Sequence, residues 1–138
     1  MTSARPDPCT GLVEVSEQEC WTLLDAATFG RVAVVVGTTP DIFPVHYRVH
    51  RGEILVRTEA GTKLAAATLM GSVAFEIDSH DDTTRTGWSV VVKGRGREPT
   101  RLDELVTLDE LDLKPWVDTP KTRWLAITPH EISGRRIG

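Results

Sequence analysis

The chain has 138 residues, of which 40% are hydrophobic and 26% charged, and its formal net charge at pH 7 is −4. This length accommodates one domain with a single core. The acidic balance excludes the broad basic surface that nucleic-acid binding requires, and no apolar run approaches the length of a membrane span. Because residues 1–11 also lack an apolar signal core, we expect a cytoplasmic protein with no membrane or nucleic-acid partner.

The N-terminal quarter is predicted to contain a helix and a strand. Residues 1–14 include Pro and Asp and are expected to be loose, so the domain is assigned to 15–138. Ser16 and Glu19 form a capping box, which predicts a helix over 17–27. The strand at 31–36 is apolar on both faces, which favours a central position in a sheet.

Two alternating strands follow a turn predicted at 38–41. In the strand 43–49, Val45 and Tyr47 share one face, while Pro44 and His46 share the other. The next strand is predicted at 54–58. It leads into a short Ala-rich helix at 62–69.

The second half of the chain adds more strands than helices. Gly94 and Gly96 lie inside a long predicted strand and indicate a bulge or sharp bend. The absence of regular strand–helix alternation favours an antiparallel barrel with peripheral helices. The elements predicted here are strands at 73–78, 87–97, 123–129 and 131–137, a helix at 101–111, and loops at 80–87 and 114–122.

Four polar residues lie where the strand at 54–58 ends and the following helix begins: Arg57, Thr58, Thr62 and Lys63. Unpaired N–H groups and the dipole at a helix start favour an anion. A guanidinium and an ammonium add charge-assisted hydrogen bonds, so this segment predicts a phosphate site. The alternative is that Arg57 and Lys63 are ordinary surface charges and Thr62 only caps the helix.

Other patterns point to less specific roles. His80, Asp81 and Asp82 are contiguous rather than at ligand spacing, so we expect a solvated loop and no metal site. Cys9 and Cys20 lack a CxxC pattern, which favours reduced thiols, although a disulfide between them stays open. No nucleophile–base pattern is present, and the catalytic residues stay unknown.

Six segments, taken in order, resemble the FMN-binding split-barrel superfamily, and within it the pyridoxamine 5'-phosphate oxidase-like and nitroimidazole-reductase-type proteins. The resemblance implies a mostly β (α+β) fold, a six-stranded antiparallel split β-barrel with peripheral helices. It also implies a homodimer with two flavin sites at the interface. The segments are GRVA (30–33), PVHYRV (44–49), ILVRTEAGTK (54–63), VAFEID (73–78), TGWSVVVKGRG (86–96) and RWLAITPHEISGRRI (123–137).

The same resemblance assigns site residues. It places the isoalloxazine ring along Pro44, Val45, His46 and Tyr47. It implies that the ribityl chain and phosphate are bound by Arg57, Thr58, Thr62 and Lys63. It also places the polar edge of the ring near Trp88 and Ser89. Trp124 is expected to come from the second subunit and to be dispensable for the monomer fold. The alternative is that Trp88 and Trp124 both belong to the core.

The function implied is that of a flavin-dependent oxidoreductase using FMN. It would pass a hydride between a nicotinamide cofactor or small organic substrate and the flavin. Two alternatives stay open: a carrier that sequesters flavin without turnover, and a reductase that uses the deazaflavin coenzyme on the same fold. FAD and riboflavin are alternative ligands. The substrate-phosphate residues of pyridoxamine 5'-phosphate oxidases are not recognisable, so oxidation of that vitamin precursor is not expected.

Overall fold

The computed structural model describes residues 5–8, 10–59, 62–69, 71–111, 113 and 123–138. Seven strands and three helices occur within these residues. In chain order they are β1 (Val13–Val15), α1 (Glu17–Ala26), β2 (Phe29–Val36), β3 (Thr39–His50), β4 (Glu53–Thr58), α2 (Lys63–Leu69), β5 (Ser72–Asp81), β6 (Thr86–Arg97), α3 (Leu102–Asp109) and β7 (Arg123–Ile137).

Six of the described strands close into a ring. The sheet order is β1–β7–β4–β3–β2–β5–β6, and β6 also pairs with β7, so β2 to β7 form an antiparallel barrel. β1 is an extra strand on the outer end of β7, opposite Gly134 to Arg136. The predicted mostly β, six-stranded barrel is therefore confirmed, and a seventh strand lies in the segment that was expected to be loose.

Two glycines in β6 allow close backbone approaches, Gly94 to β7 and Gly96 to α2. The register between β6 and β7 passes from Lys93–Glu131 to Gly94–Pro129, which leaves a bulge at His130. A Cβ at Gly94 would lie 2.2 Å from the carbonyl oxygen of Thr128, and one at Gly96 would lie 2.0 Å from that of Thr68 in α2. The predicted irregularity at these glycines is present, but the extra residue of the bulge lies in β7 and not in β6. The two predicted C-terminal strands are one strand bent at this point.

The main core fills the barrel beneath α1. The rings of Tyr47 and Phe75 meet edge to face at 4.7 Å, and both residues are fully buried. The Tyr47 hydroxyl donates a hydrogen bond to the carbonyl oxygen of Leu24 at 2.5 Å, and burial raises the pKa of Tyr47. The Ser16 half of the predicted capping box is confirmed, because the Ser16 hydroxyl accepts the Glu19 N–H at 3.2 Å. The Tyr47 hydrogen bond fixes the last turn of α1 to the barrel.

Two details near β2 differ from the sequence prediction. The strand is central, between β3 and β5, but only one face is buried: Val32 and Val34 point inward, whereas Val35 is 60% exposed. The turn before β3 lies at Gly37, whose φ is +63°, so β3 begins earlier than predicted. The second apolar face of β2 therefore lies on the outside of the barrel. Among the described residues of the chain, none covers it.

Some expectations lie outside the described residues. These include the loop at 114–122 and Cys9, together with any disulfide to it. Cys20 is a buried free thiol whose pKa is raised by burial. Within the described part of the chain, no helix is long and apolar enough to cross a membrane.

Substitution of Gly96 by Ala tests the close approach of β6 to α2. The added methyl group would meet backbone rather than a flexible side chain. We expect a loss of about 1–3 kcal/mol in the free energy of unfolding, measured by urea denaturation. The matched control is Gly71→Ala, where a Cβ would meet nothing within 4 Å. Equal stabilities of the two variants would contradict the packing described.

Candidate functional site

Three of the four predicted phosphate-site residues meet at the corner between β4 and α2. Thr58 is buried, and its Oγ1 lies 3.1 Å from the Oγ1 of Thr62. The Thr62 hydroxyl also accepts the N–H of Ala65 at 3.1 Å, so it caps α2. Lys63 is the first residue of α2 and is exposed. The corner therefore joins an exposed ammonium to a pair of hydroxyl groups.

Arg57 leaves β4 on the opposite face, toward α3. Its guanidinium carbon lies 4.9 Å from the centre of the Trp124 ring, and Nη2 lies 3.9 Å from Oδ1 of Asp109, beyond hydrogen-bond distance. Its Nε is buried and has no hydrogen-bond partner among the described residues. The side chain is 28% exposed, so Arg57 retains unused donors close to the surface.

Two other arginines are held by carboxylates instead. Arg97 donates to both oxygens of Glu53, at 2.6 and 2.9 Å, and also to Glu104 in α3. The hydrogen bond from Arg97 lowers the pKa of Glu53. Arg123 donates to both carboxylate oxygens of Glu98. These two guanidinium groups hold the structure together, whereas that of Arg57 has donors to spare.

The structure corrects the interpretation of Trp124 as an interface aromatic. Trp124 is 2% exposed and packs with Leu55 and Leu108 in a small second core beneath α3. Its Nε1 donates a hydrogen bond to Oδ1 of Asp109 at 2.9 Å. It has no free surface for a second subunit. The strand pattern located β7, but it did not indicate which strands α3 covers.

The predicted ring segment divides by strand alternation. Pro44 and His46 point outward, and the His46 ring meets that of Phe29 edge-on at 5.1 Å. Val45 and Tyr47 point into the core, at 7% and 0% exposure. The side chains of Val45 and Tyr47 therefore cannot touch a ring on the outer surface, and the predicted division of this strand into two faces is confirmed.

Trp88 and Ser89 lie at the other side of the barrel, near the β5–β6 hairpin. Ser89 is opposite Asp78 in β5 and Arg135 in β7. Trp88 is half-buried against the main core. It lines an open cavity of about 400 Å³ together with residues that include His80 and Arg136. The described residues of one chain do not bring this pair to the β4–α2 corner.

A cluster that the sequence did not reveal lies on the outer surface between β2 and β5. Nη1 of Arg31 is 3.2 Å from Oε1 of Glu76 and 3.6 Å from Oδ2 of Asp78. Burial, together with the hydrogen bond and charge of Asp78, raises the pKa of Glu76 to about 7. Arg31 is opposite both Glu76 and Pro44 in the strand register. Because β2 and β5 are distant in sequence, no local motif could indicate this cluster.

The closed antiparallel barrel with peripheral helices and a polar strand–helix corner defines the split-barrel class of protein. A family model described as pyridoxamine 5'-phosphate oxidase matches residues 16–136. The chain therefore belongs to the pyridoxamine 5'-phosphate oxidase family, as its segments suggested.

Proteins from Mycobacterium and Corynebacterium species are among those similar to this chain. The uncharacterized protein Rv0080 of Mycobacterium tuberculosis is 33% identical over 139 residues, which covers 97% of this chain and 91% of the relative. The structure of a FAD binding protein from Mycobacterium smegmatis is 36% identical with a TM-score of 0.79, covering 90% of this chain and 97% of that one. A conserved protein of unknown function from Corynebacterium diphtheriae is 32% identical with a TM-score of 0.79, covering 96% and 100%.

Truncation of Trp124 tests the corrected role. Because this side chain fills the second core, Trp124→Ala should lower the free energy of unfolding of the monomer by about 3–5 kcal/mol. Leu102→Ala in α3 is the control, since Leu102 is 77% exposed and should change stability by less than about 0.5 kcal/mol. A stable Trp124→Ala monomer would restore the interface interpretation.

Proposed function

We propose that this protein binds a phosphorylated flavin, with FMN as the first candidate, and acts as a flavin-dependent oxidoreductase. Membership in the pyridoxamine 5'-phosphate oxidase family supports a flavin ligand. The observation that carries the proposal is Arg57, a 28% exposed guanidinium whose nearest described carboxylate oxygen, Oδ1 of Asp109, lies 3.9 Å from Nη2, beyond hydrogen-bond distance. Its outer N–H donors are therefore free to form charge-assisted hydrogen bonds with an anionic ligand.

In this proposal the phosphate lies at the end of β4. Lys63 offers three N–H donors in the open, and the Thr62 hydroxyl stands one residue before it. Arg57 approaches from the α3 side of the same strand end. Lys63 belongs to the first turn of α2 and Arg57 to the α3 side of β4, so in this proposal the two cations reach the phosphate from different elements.

The ring is proposed to lie on the outward face of β3. Pro44 and His46 give that face a flat and partly apolar surface, and Phe29 extends it across β2. A planar aromatic ring gains most from such a surface, because contact removes apolar area from water on both sides. The inward residues Val45 and Tyr47 contribute by fixing the strand that carries this face.

The protein's part in the reaction is binding and orientation. A bound flavin supplies the capacity to accept and donate electrons, which no side chain here provides. Lys63 and Arg57 would neutralise the phosphate, while Pro44 and His46 would set which edge of the ring faces solvent. A reduced nicotinamide cofactor is proposed as the electron source, and a small organic compound as the acceptor.

FAD is the second candidate ligand. The specific support is the 36% identical protein from Mycobacterium smegmatis, which is described as a FAD binding protein. Both ligands share the flavin ring, the ribityl chain and its first phosphate. The proposed site at Arg57 and Lys63 serves either of them, and comparison of their affinities separates the two.

We also propose that the protein is a homodimer. A ring on the outward face of β3 would have one side in water unless another surface covered it. Strand β7 cannot be lent to a second subunit, because it completes its own barrel between β4 and β6. A two-fold contact between outer faces would instead cover two rings at once.

Substitution at the phosphate contacts tests the binding site. A hydrogen bond to a charged group contributes about 1.5–3 kcal/mol, so Arg57→Ala and Lys63→Ala should each weaken FMN by about ten- to a hundredfold. Riboflavin, which lacks the phosphate, should lose much less. Titration calorimetry measures both, with Lys93→Ala as the control because Lys93 is an exposed cation paired with Glu131 on β7. Equal losses for the two ligands would remove these residues from the phosphate. No binding of any flavin would overturn the proposal.

Turnover is tested separately from binding. FMN-loaded protein should oxidise NADPH faster than the same concentration of free FMN, as followed by the loss of nicotinamide absorbance. Lys63→Ala at a subsaturating FMN concentration should reduce this rate in proportion to its lost occupancy. Tight binding with no rate above free FMN would favour the sequestering alternative.

A further inference from the structure

Asp109 is the last residue of α3, and its carboxylate lies beside the Arg57 side chain. Arg57 and Trp124 are directly opposite each other in the register of β4 and β7, and the guanidinium carbon lies 4.9 Å from the centre of the indole ring. Oδ1 of Asp109 accepts the hydrogen bond from Trp124 Nε1 at 2.9 Å and lies 3.9 Å from Nη2 of Arg57. One indole ring therefore holds a cation against its face and an anion at its edge.

The position of this carboxylate is unfavourable for the helix that carries it. The C-terminal end of a helix has a partial negative charge, so an acidic residue there is destabilising. The last turn of α3 contains no basic residue that would offset it. The compensation comes from outside the helix, from the Trp124 N–H and the nearby Arg57 guanidinium. The Asp109 side chain is 63% exposed, so its charge also acts on an anion that approaches Arg57 from solvent.

Phosphorylated flavins differ in the charge of the phosphate that follows the ribityl chain. The phosphate of FMN is a monoester, which carries a charge of about −1.5 to −2 at pH 7 because its second pKa is about 6. The corresponding phosphate of FAD is esterified on one side and bridged to a second phosphate on the other, so it carries a single negative charge. Repulsion from a fixed carboxylate is proportional to the charge of the ligand, so it acts about twice as strongly on the phosphate of FMN.

We propose that Asp109 is a specificity-determining residue, which shifts the preference of the Arg57 site from a phosphate monoester toward a singly charged bridged phosphate. The inference rests on the proposed function and names the class of phosphate that its site favours. Arg57 attracts both kinds of phosphate, and the Asp109 carboxylate opposes this attraction more for the doubly charged one. The hydrogen bond to Trp124 keeps the carboxylate beside Arg57, so the discrimination is fixed by the packing of α3 on β7.

Asp109→Asn tests the role of the charge, because the amide oxygen of Asn can still accept the hydrogen bond from Trp124. An interaction between exposed charges changes affinity by about two- to threefold for each pair of unit charges. The variant should therefore bind FMN about four- to ninefold more tightly and FAD about two- to threefold more tightly than the wild type. Riboflavin, which has no phosphate, should bind both proteins equally. Titration calorimetry at pH 7.5 measures the three dissociation constants.

Two further variants separate the charge of Asp109 from other effects. Asp109→Glu keeps the negative charge and should keep the wild-type ratio of FMN affinity to FAD affinity. Glu110→Gln removes an exposed carboxylate from the next position in the chain and should also keep that ratio. Urea denaturation of each variant shows whether α3 remains packed on the barrel, so a change in affinity is not mistaken for a loss of stability.

The outcomes distinguish this inference from the proposed function. An Asp109→Asn variant whose affinities for FMN and FAD change by the same factor, or do not change, would overturn the role of Asp109 and leave flavin binding intact. An Asp109→Glu variant that behaves like Asp109→Asn would overturn it as well, because the charge would then not be the cause. A wild-type protein that binds none of the three flavins would overturn the proposed function, and this inference with it.

Discussion

The pairing of β6 with β7 is the constraint on which the rest of the molecule depends. β7 contacts β6 along nearly its whole length, and it also pairs with β4 at one end and β1 at the other. This is sterically possible only because Gly94 has no Cβ where the backbone of Thr128 approaches. Because β7 pairs with strands of its own barrel, Trp124 is buried beneath α3. The β4–α2 corner and the outward face of β3 are left for a ligand.

The arginines near the site differ in what their guanidinium groups bind. Two of them hold parts of the fold together, and the third has donors available to a ligand. Arg97 and Arg123 form paired hydrogen bonds with carboxylates, and the first of these fastens α3 through Glu104. Arg57 is placed by packing on Trp124 and has no such partner among the described residues. A packed guanidinium with spare donors is already oriented, so less conformational entropy is lost when an anion binds it.

Local patterns predicted the parts of the fold that local physics determines. The Ser16–Glu19 pattern indicated the start of α1, the period of two indicated the strands, and the glycines of β6 indicated an irregularity where β6 pairs with the bulge in β7. The family resemblance supplied the barrel closure, which no local pattern contains. Thr58, Thr62 and Lys63 were located correctly at one corner because they are close in sequence.

The misplaced residues depend on contacts between distant segments. Trp124 was interpreted without knowing that α3 covers β7. The family resemblance grouped Val45 and Tyr47 with Pro44 and His46 as one ring segment, but the alternation in the sequence had already placed the two pairs on opposite faces. Arg31, Glu76 and Asp78 meet only because β2 and β5 are neighbours in the barrel. The sequence showed that both faces of β2 are apolar. It did not show that one of these faces is exposed on the outside of the barrel.

The central claim is that a phosphorylated flavin lies between the β4–α2 corner and the outward face of β3. Backbone amide chemical shifts, recorded by NMR during titration with FMN and then with riboflavin, test it most directly. Both ligands should shift the amides of residues 44–46, and only FMN should strongly shift those of Arg57, Thr62 and Lys63. Shifts confined to the cavity around Trp88 and Arg136, or the same pattern for both ligands at the β4–α2 corner, would contradict the account.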